Sequence, residues 1–242
     1  MTRLRAFSIH LTISLIVGLA LLALAWFVWY PAPMLFAFGG HEIFLLVVGV
    51  DVVLGPLLTL VAFKPGKPKL IFDLVVIAAL QAGAMAYGVQ AFLEPRPVYV
   101  AAVGTSFHVV QATAVTDANL RKANTALPWW GPIWVGTKQP VDRFEAEEVQ
   151  DVIRAGGGRG NFPHLHIPYE AMAEEVLAKS LPIPILLKDN STNADEIRGW
   201  LKRHNHDEKS ARFQPIQISS SEFIVMLDGK SGAVLGIAPF KP

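Results

Sequence analysis

Histidine, carboxylate and hydroxyl groups supply the reactive side chains of this sequence, and their spacing argues against most chemistry. His164-Leu165-His166 and His204-Asn205-His206-Asp207 are metal-ligating residue types. Neither spacing matches a helix-borne zinc motif, and no cysteine is present to help. Both clusters read as loop or surface histidines. Gly156-Gly157-Gly158-Arg159-Gly160 lacks the Lys-Ser/Thr pair that closes a phosphate loop, so it reads as a flexible loop and not as a nucleotide cradle. No serine stands in a Gly-x-Ser-x-Gly or Ser-x-x-Lys setting. The expectation is a protein without catalytic residues, metal or cofactor.

Other groups stand out for where they lie. Asp51 sits near the middle of an apolar run, where a carboxylate costs about 2.5–3.5 kcal/mol and should face other helices. Counting back through the short loop between two antiparallel runs places Gln81 within half a turn of its level. A hydrogen bond from Gln81 to Asp51 is expected, or the reverse if Asp51 is protonated. Such a pair either fixes helix register or contacts the membrane helix of a partner. Pro56 should bend the same helix and free a carbonyl for a polar group such as Thr59. Asp73 begins the next run near Lys64, Lys67 and Lys69, an interfacial ion cluster at a helix start. His10 is assigned no special role. In Pro128-Trp129-Trp130-Gly131-Pro132-Ile133-Trp134, the aromatic rings either cover a core or form an exposed platform for a protein head or a lipid headgroup layer. Trp129 and Trp130 cannot both point inward if this segment is extended.

The elements that position these groups follow from charge. The chain has 242 residues, 52% hydrophobic and 17% charged, against about 25% charged in an ordinary globular protein. Residues 1–93 hold 5 Lys+Arg and 3 Asp+Glu, leaving 16 and 17 for residues 94–242. A membrane part is therefore followed by a water-soluble part. This excludes a disordered chain and a disulfide scaffold, and nothing in the balance suggests a nucleic-acid surface. The apolar runs are 8–30, 43–63 and 70–93. The first reaches roughly 34 Å as a helix, enough for a ~30 Å hydrocarbon core. Backbone groups in lipid must be satisfied internally, so each run is predicted to be a helix, with Gly18, Gly49, Gly55, Gly83 and Gly88 permitting close contact.

Orientation follows from the cations. Arg3 and Arg5 precede the first run, and Lys64, Lys67 and Lys69 separate the second and third. The first connector has neither Lys nor Arg. The N-terminus is therefore expected inside and residues 94–242 outside, in the periplasm of a Gram-negative cell. Trp26, Trp29 and Tyr30 fall where an outer aromatic belt belongs. The competing reading is a signal peptide cleaved at Ala23-Leu24-Ala25, but the run is long and continues through Trp29 without a polar break.

The string Asp51-Val52-Val53-Leu54-Gly55-Pro56-Leu57-Leu58-Thr59 is followed in order by Phe63-Lys64-Pro65, Phe72-Asp73-Leu74, Leu80-Gln81, Ala86-Tyr87-Gly88 and Arg96-Pro97-Val98. Together with the opening segment from Arg3 to His10 and Trp29-Tyr30-Pro31, it resembles the TfpX/TfpZ family of type IV pilin accessory proteins, most densely over residues 1–100. The resemblance implies a non-enzymatic inner-membrane protein that serves a type IV major pilin as chaperone or assembly modulator. It transfers no catalytic residue. Asp51, Gln81, Trp129, Trp130 and Trp134 are the candidate partner-binding residues.

Residues 94–242 suit one α+β domain in size. Strands are expected at 98–103, 107–111, 183–187, 223–227 and 234–237, the last two as a hairpin around Asp228-Gly229-Lys230-Ser231-Gly232. The apolar run 223–227 suggests a strand covered on both faces. Helices are expected at 117–123, 141–155, 169–180 and 193–204, with apolar spacing at Phe144, Val149 and Val152 and a cap at Asn193. A membrane-tethered sensor or ligand-binding protein is the alternative function; it lacks a cytoplasmic output domain.

Overall fold

A helix in lipid needs only apolar side chains and an intact backbone ladder. The computed structural model, which describes residues 2–219 and 221–242, has three helices of this kind: Arg3–Trp29, Gly40–Ala62 and Leu70–Leu93. The first comprises α1 (Arg3–Leu24) and a π turn over Ala25–Trp29. It begins before the apolar run because the Thr2 hydroxyl accepts from the Arg5 N–H at 3.3 Å. A short α2 (Met34–Ala37) follows. The second helix joins α3 (Gly40–Gly49), a π turn (Val50–Leu54) and α4 (Gly55–Ala62). The third is α5 (Leu70–Leu93). Glycines set their approach: a Cβ on Gly18 would rest on Val48, and one on Gly88 would meet Val47 Cγ2 at 2.6 Å. Trp29 and Tyr30 are buried rather than facing outward, and the Tyr30 hydroxyl donates to the Phe92 carbonyl at 2.9 Å.

By its contacts the chain forms two units, residues 1–31 with 39–95, and residues 32–38 with 96–242. The second unit is an α+β domain around a curled sheet of eight strands. These are β1 (Pro97–Val103), β2 (Ser106–Gln111), β3 (Ile133–Thr137), β4 (His166–Pro168), β5 (Leu181–Pro182), β6 (Ala211–Ile218), β7 (Ser221–Asp228) and β8 (Val234–Ala238). The order is β4-β3-β1-β2-β6-β7-β8, with β5 also on β6. The β1–β3 and β2–β6 pairs are parallel and the others antiparallel. In β7, Ile224, Val225, Met226 and Leu227 are all fully buried, so the strand is covered on both faces.

The helices are α6 (Asp117–Ala123), α7 (Arg143–Arg154), α8 (Ala173–Ala178), α9 (Ile183–Asp189) and α10 (Ala194–Arg203). Ile183 and Leu186 of α9 and Ile197, Trp200 and Leu201 of α10 pack with Phe213, Ile224 and Met226. Several sequence expectations are corrected. Residues 183–187 are helical, not a strand: a five-residue apolar run does not reveal its period, and Pro184 sits in the first turn, where a missing N–H costs nothing. The segment 169–180 divides into a 3-10 turn at Tyr169–Ala171 and α8, because Tyr169 is anchored by donating its hydroxyl to Gly232 O at 2.7 Å. Asn193 precedes α10 without a side-chain capping bond. Phe144 is 79% exposed, and Val149 alone of the three spaced residues is fully buried in α7. The glycine-rich segment is built in: Gly160 lies so close to β1 and β2 that a Cβ would meet Ala101 Cβ at 2.6 Å and Val110 at 2.7 Å.

Candidate functional site

The polar centre of the helical unit is a backbone repair. In the π turn the Gly55 N–H reaches back five residues to Val50 O. The Gly55 donor is therefore taken from Asp51 O, and the next donor in that register would be at position 56, which is proline. Gln81 supplies the missing donor. Its Nε2 donates to Asp51 O at 3.2 Å and to Asp51 Oδ1 at 2.7 Å. One amide thus satisfies a carbonyl and the carboxyl group of the same residue. Gly55 makes this possible, since a Cβ there would overlap the Gln81 amide.

Thr59 does not serve the freed carbonyl. It is eight residues beyond Asp51, about 12 Å along the axis. Its hydroxyl instead lies 2.6 Å from His10 Nδ1, joining the first and second helices. His10 therefore has a packing role that its isolated position in the sequence did not disclose. At the start of α5, Lys67 Nζ pairs with Asp73 Oδ2 at 2.5 Å, with both side chains partly exposed.

In the α+β domain the three tryptophans separate. Trp129 and Trp130 occupy a bend and are 55% and 70% exposed. They do not cover the core, because Leu127 and Trp134 take the inward places on either side of the bend. Leu127 packs against the Val98–Val135 cluster, and Trp134 sits edge-on to Phe107 at 5.6 Å. Arg96 supports the bend from below: Nη2 donates to Pro128 O at 3.3 Å, and the guanidinium lies 5.7 Å from the Trp129 ring centre. Beside it runs an open groove of about 740 Å³ lined by Tyr99, Pro128, Ile133, Trp134, His166 and Pro168. Two substitutions should separate these roles. Trp130→Ala is expected to change stability by less than ~0.5 kcal/mol, whereas Trp134→Ala should cost about 3 kcal/mol. Thermal melts of the detergent-solubilised chain distinguish them.

The histidines are occupied by the fold. His164 Nε2 lies 2.7 Å from Glu145 Oε1, and His166 Nε2 lies 2.8 Å from Gly160 O, with Tyr99 edge-on at 4.6 Å. His204 stacks on Trp200 at 3.7 Å, and His206 Nε2 lies 3.1 Å from Asp228 Oδ2. Among the described residues no group of three or more His, Cys, Asp or Glu side chains could hold a metal ion.

These rings carry a pH dependence. Burial holds His108 and His166 below the ordinary histidine value of 6.5. A depressed pKa gives stability that is complete above 6.5 and lost as pH falls toward the folded value. His206 runs the opposite way: the His204 carbonyl, then Asp228, raises it, so its contribution is complete below 6.5 and lost at higher pH. His108 and His166 therefore lower the melting temperature of the domain at pH 5 relative to pH 7, and His206 acts in the opposite sense. His166→Gln keeps a donor near Gly160 without titrating, and should shrink that lowering.

A small hollow of about 250 Å³ is lined by His108, Gln111, Asn161 and Gln217 among others, and no Lys, Arg, Asp or Glu borders it among the described residues. At its edge His108 Nε2 lies 3.1 Å from the Ser106 hydroxyl, two residues away along β2. Sequence reasoning missed Arg96 and the His10–Thr59 contact, because each joins residues far apart in the chain.

The model of the family described as Fimbrial assembly protein FimB matches residues 1–39. Two fimbrial assembly proteins of Dichelobacter nodosus, of serogroups E1 and I, are 27% and 28% identical; in each case the alignment covers 91% of this chain and 88% of the relative. No solved structure matches. A third relative, the fimbrial assembly protein of serogroups C1 and C2, is 39% identical over 94 residues, which are 38% of this chain and 72% of that protein. With that identity over most of the relative's length, the chain belongs to the FimB family of fimbrial assembly proteins.

Proposed function

We propose that this protein is a non-enzymatic accessory factor of the TfpX/TfpZ type that holds a type IV major pilin in the inner membrane before assembly. The observation that carries this reading is the extent of the match to fimbrial assembly proteins, 91% of the chain, which takes in both the helices and the α+β domain. A role in pilus biogenesis follows from that kinship. The finer reading follows from physics. A stored pilin has an apolar helix in lipid and a head outside, so its holder needs a helix-packing surface and an external domain. The distribution of Arg3, Arg5, Lys64, Lys67 and Lys69 supports a cytoplasmic N-terminus and a periplasmic domain. The large apolar side chains on the outer faces of α1 and α5, such as Ile13, Ile16, Val75 and Leu80, are available to a further helix. A chaperone of this kind acts by offering those faces to the pilin helix, and needs no catalytic group.

Deleting the gene tests the proposal. The expected result is a loss of surface pili and of membrane-stored pilin with unchanged pilin transcript, restored by the full chain. Normal piliation in the deletion strain would contradict it.

A further inference from the structure

We propose that the Trp129–Trp130 bend is a lipid-binding tip, seated in the headgroup layer of the bilayer that the three helices cross. The inference rests on reading α5 as a membrane span. Residues 123–137 contain no Lys, Arg, Asp, Glu or His, in a part of the chain that otherwise carries 33 charges over 149 residues. Pro128 and Pro132 remove two backbone donors from the bend, and Gly131 turns it at φ +45°. Entering the interface therefore leaves few backbone groups to desolvate. The indole ring combines an apolar body with one N–H donor, the composition that concentrates at membrane–water interfaces.

Chain connectivity identifies the partner as lipid. Arg96, which holds Pro128 and Trp129, is three residues beyond Leu93, the last residue of α5. Three extended residues span at most about 11 Å, comparable to the roughly 5–8 Å of headgroup layer on each side of the hydrocarbon core. The chain also passes between the two units at residues 31–32 and 38–39. A tip fastened to Arg96 is thus kept near the headgroups whether or not another protein is present.

The sequence has no cysteine, so single-cysteine spin labels can be placed on the full chain without background. The protein is reconstituted in vesicles of phosphatidylethanolamine and phosphatidylglycerol, and each label's accessibility to oxygen and to a water-soluble nickel chelate is measured. Trp130→Cys is the reporter, with Trp129→Cys as a second in case the first disturbs the bend. Val141→Cys, at a position 99% exposed, gives the aqueous reference, and Leu80→Cys, on the outer face of α5, gives the bilayer reference. The expected ratio of oxygen to nickel accessibility at both tip positions is severalfold above that at position 141 and below that at position 80. A tip as aqueous as position 141, with position 80 in lipid, overturns the tip while leaving the span intact. An aqueous label at position 80 overturns the span and the tip together. Tip labels that are protected only after purified pilin is added assign the surface to protein and overturn the lipid reading.

Discussion

Gly55→Leu is expected to separate the second and third helices at a cost of about 2–4 kcal/mol, from overpacking and a lost interhelical hydrogen bond. The leucine side chain would occupy the space of the Gln81 amide. Gln81 must then leave Asp51, stranding a carbonyl that Pro56 cannot serve. The effect is read as the SDS fraction at which helicity is lost in mixed micelles, which should fall sharply. Two companions define the cause. Asp51→Asn keeps an oxygen that accepts from Gln81 and should be nearly neutral, whereas Gln81→Leu should cost about 1 kcal/mol. An unchanged midpoint for Gly55→Leu would show that the Gln81–Asp51 contact does not hold the helices together.

The second large effect lies in the α+β domain. Phe213→Ala should destabilise it by about 3–5 kcal/mol, a large part of the 5–15 kcal/mol typical of a whole domain. Phe213 is 1% exposed, on β6 opposite Met226 of β7, in one buried cluster with Ile224 and with Ile183 and Leu186 of α9 and Ile197 and Leu201 of α10. Removing the ring leaves a cavity that a sheet paired on both sides cannot collapse to fill. Phe144→Ala, at a position 79% exposed, should stay within ~0.5 kcal/mol. Urea unfolding of the detergent-solubilised chain, followed by near-UV circular dichroism, compares the two. Equal midpoints would contradict the assignment of the core.

The helices were legible because lipid imposes one rule on every residue: a long apolar run must be helical. Even the Asp51–Gln81 contact could be counted from the sequence, since a short loop fixes the register of two antiparallel helices. The π turn could not, because a five-residue hydrogen bond leaves no signature in residue types. In the α+β domain the β7–β8 hairpin showed itself through local turn residues. By contrast β6 was hidden by Pro215. The structure tolerates this proline because β5 pairs with residues 212 and 213 and β2 with residues 216 and 217, leaving position 215 in the gap between them. The strand β3 was masked by the adjoining prolines and tryptophans. The clamp of Arg96 on Pro128 and Trp129 depends on the fold, and no spacing could announce it.

Photocrosslinking in native membranes tests the central claim most directly. A benzophenone amino acid is placed at Ile16 of α1 or at Leu80 of α5, whose side chains are 61% and 66% exposed. Light should produce an adduct that carries pilin peptides and is absent from cells lacking the pilin gene. If adducts form at neither position despite normal levels of both proteins, or form equally without the pilin gene, this protein does not hold pilin through its membrane helices.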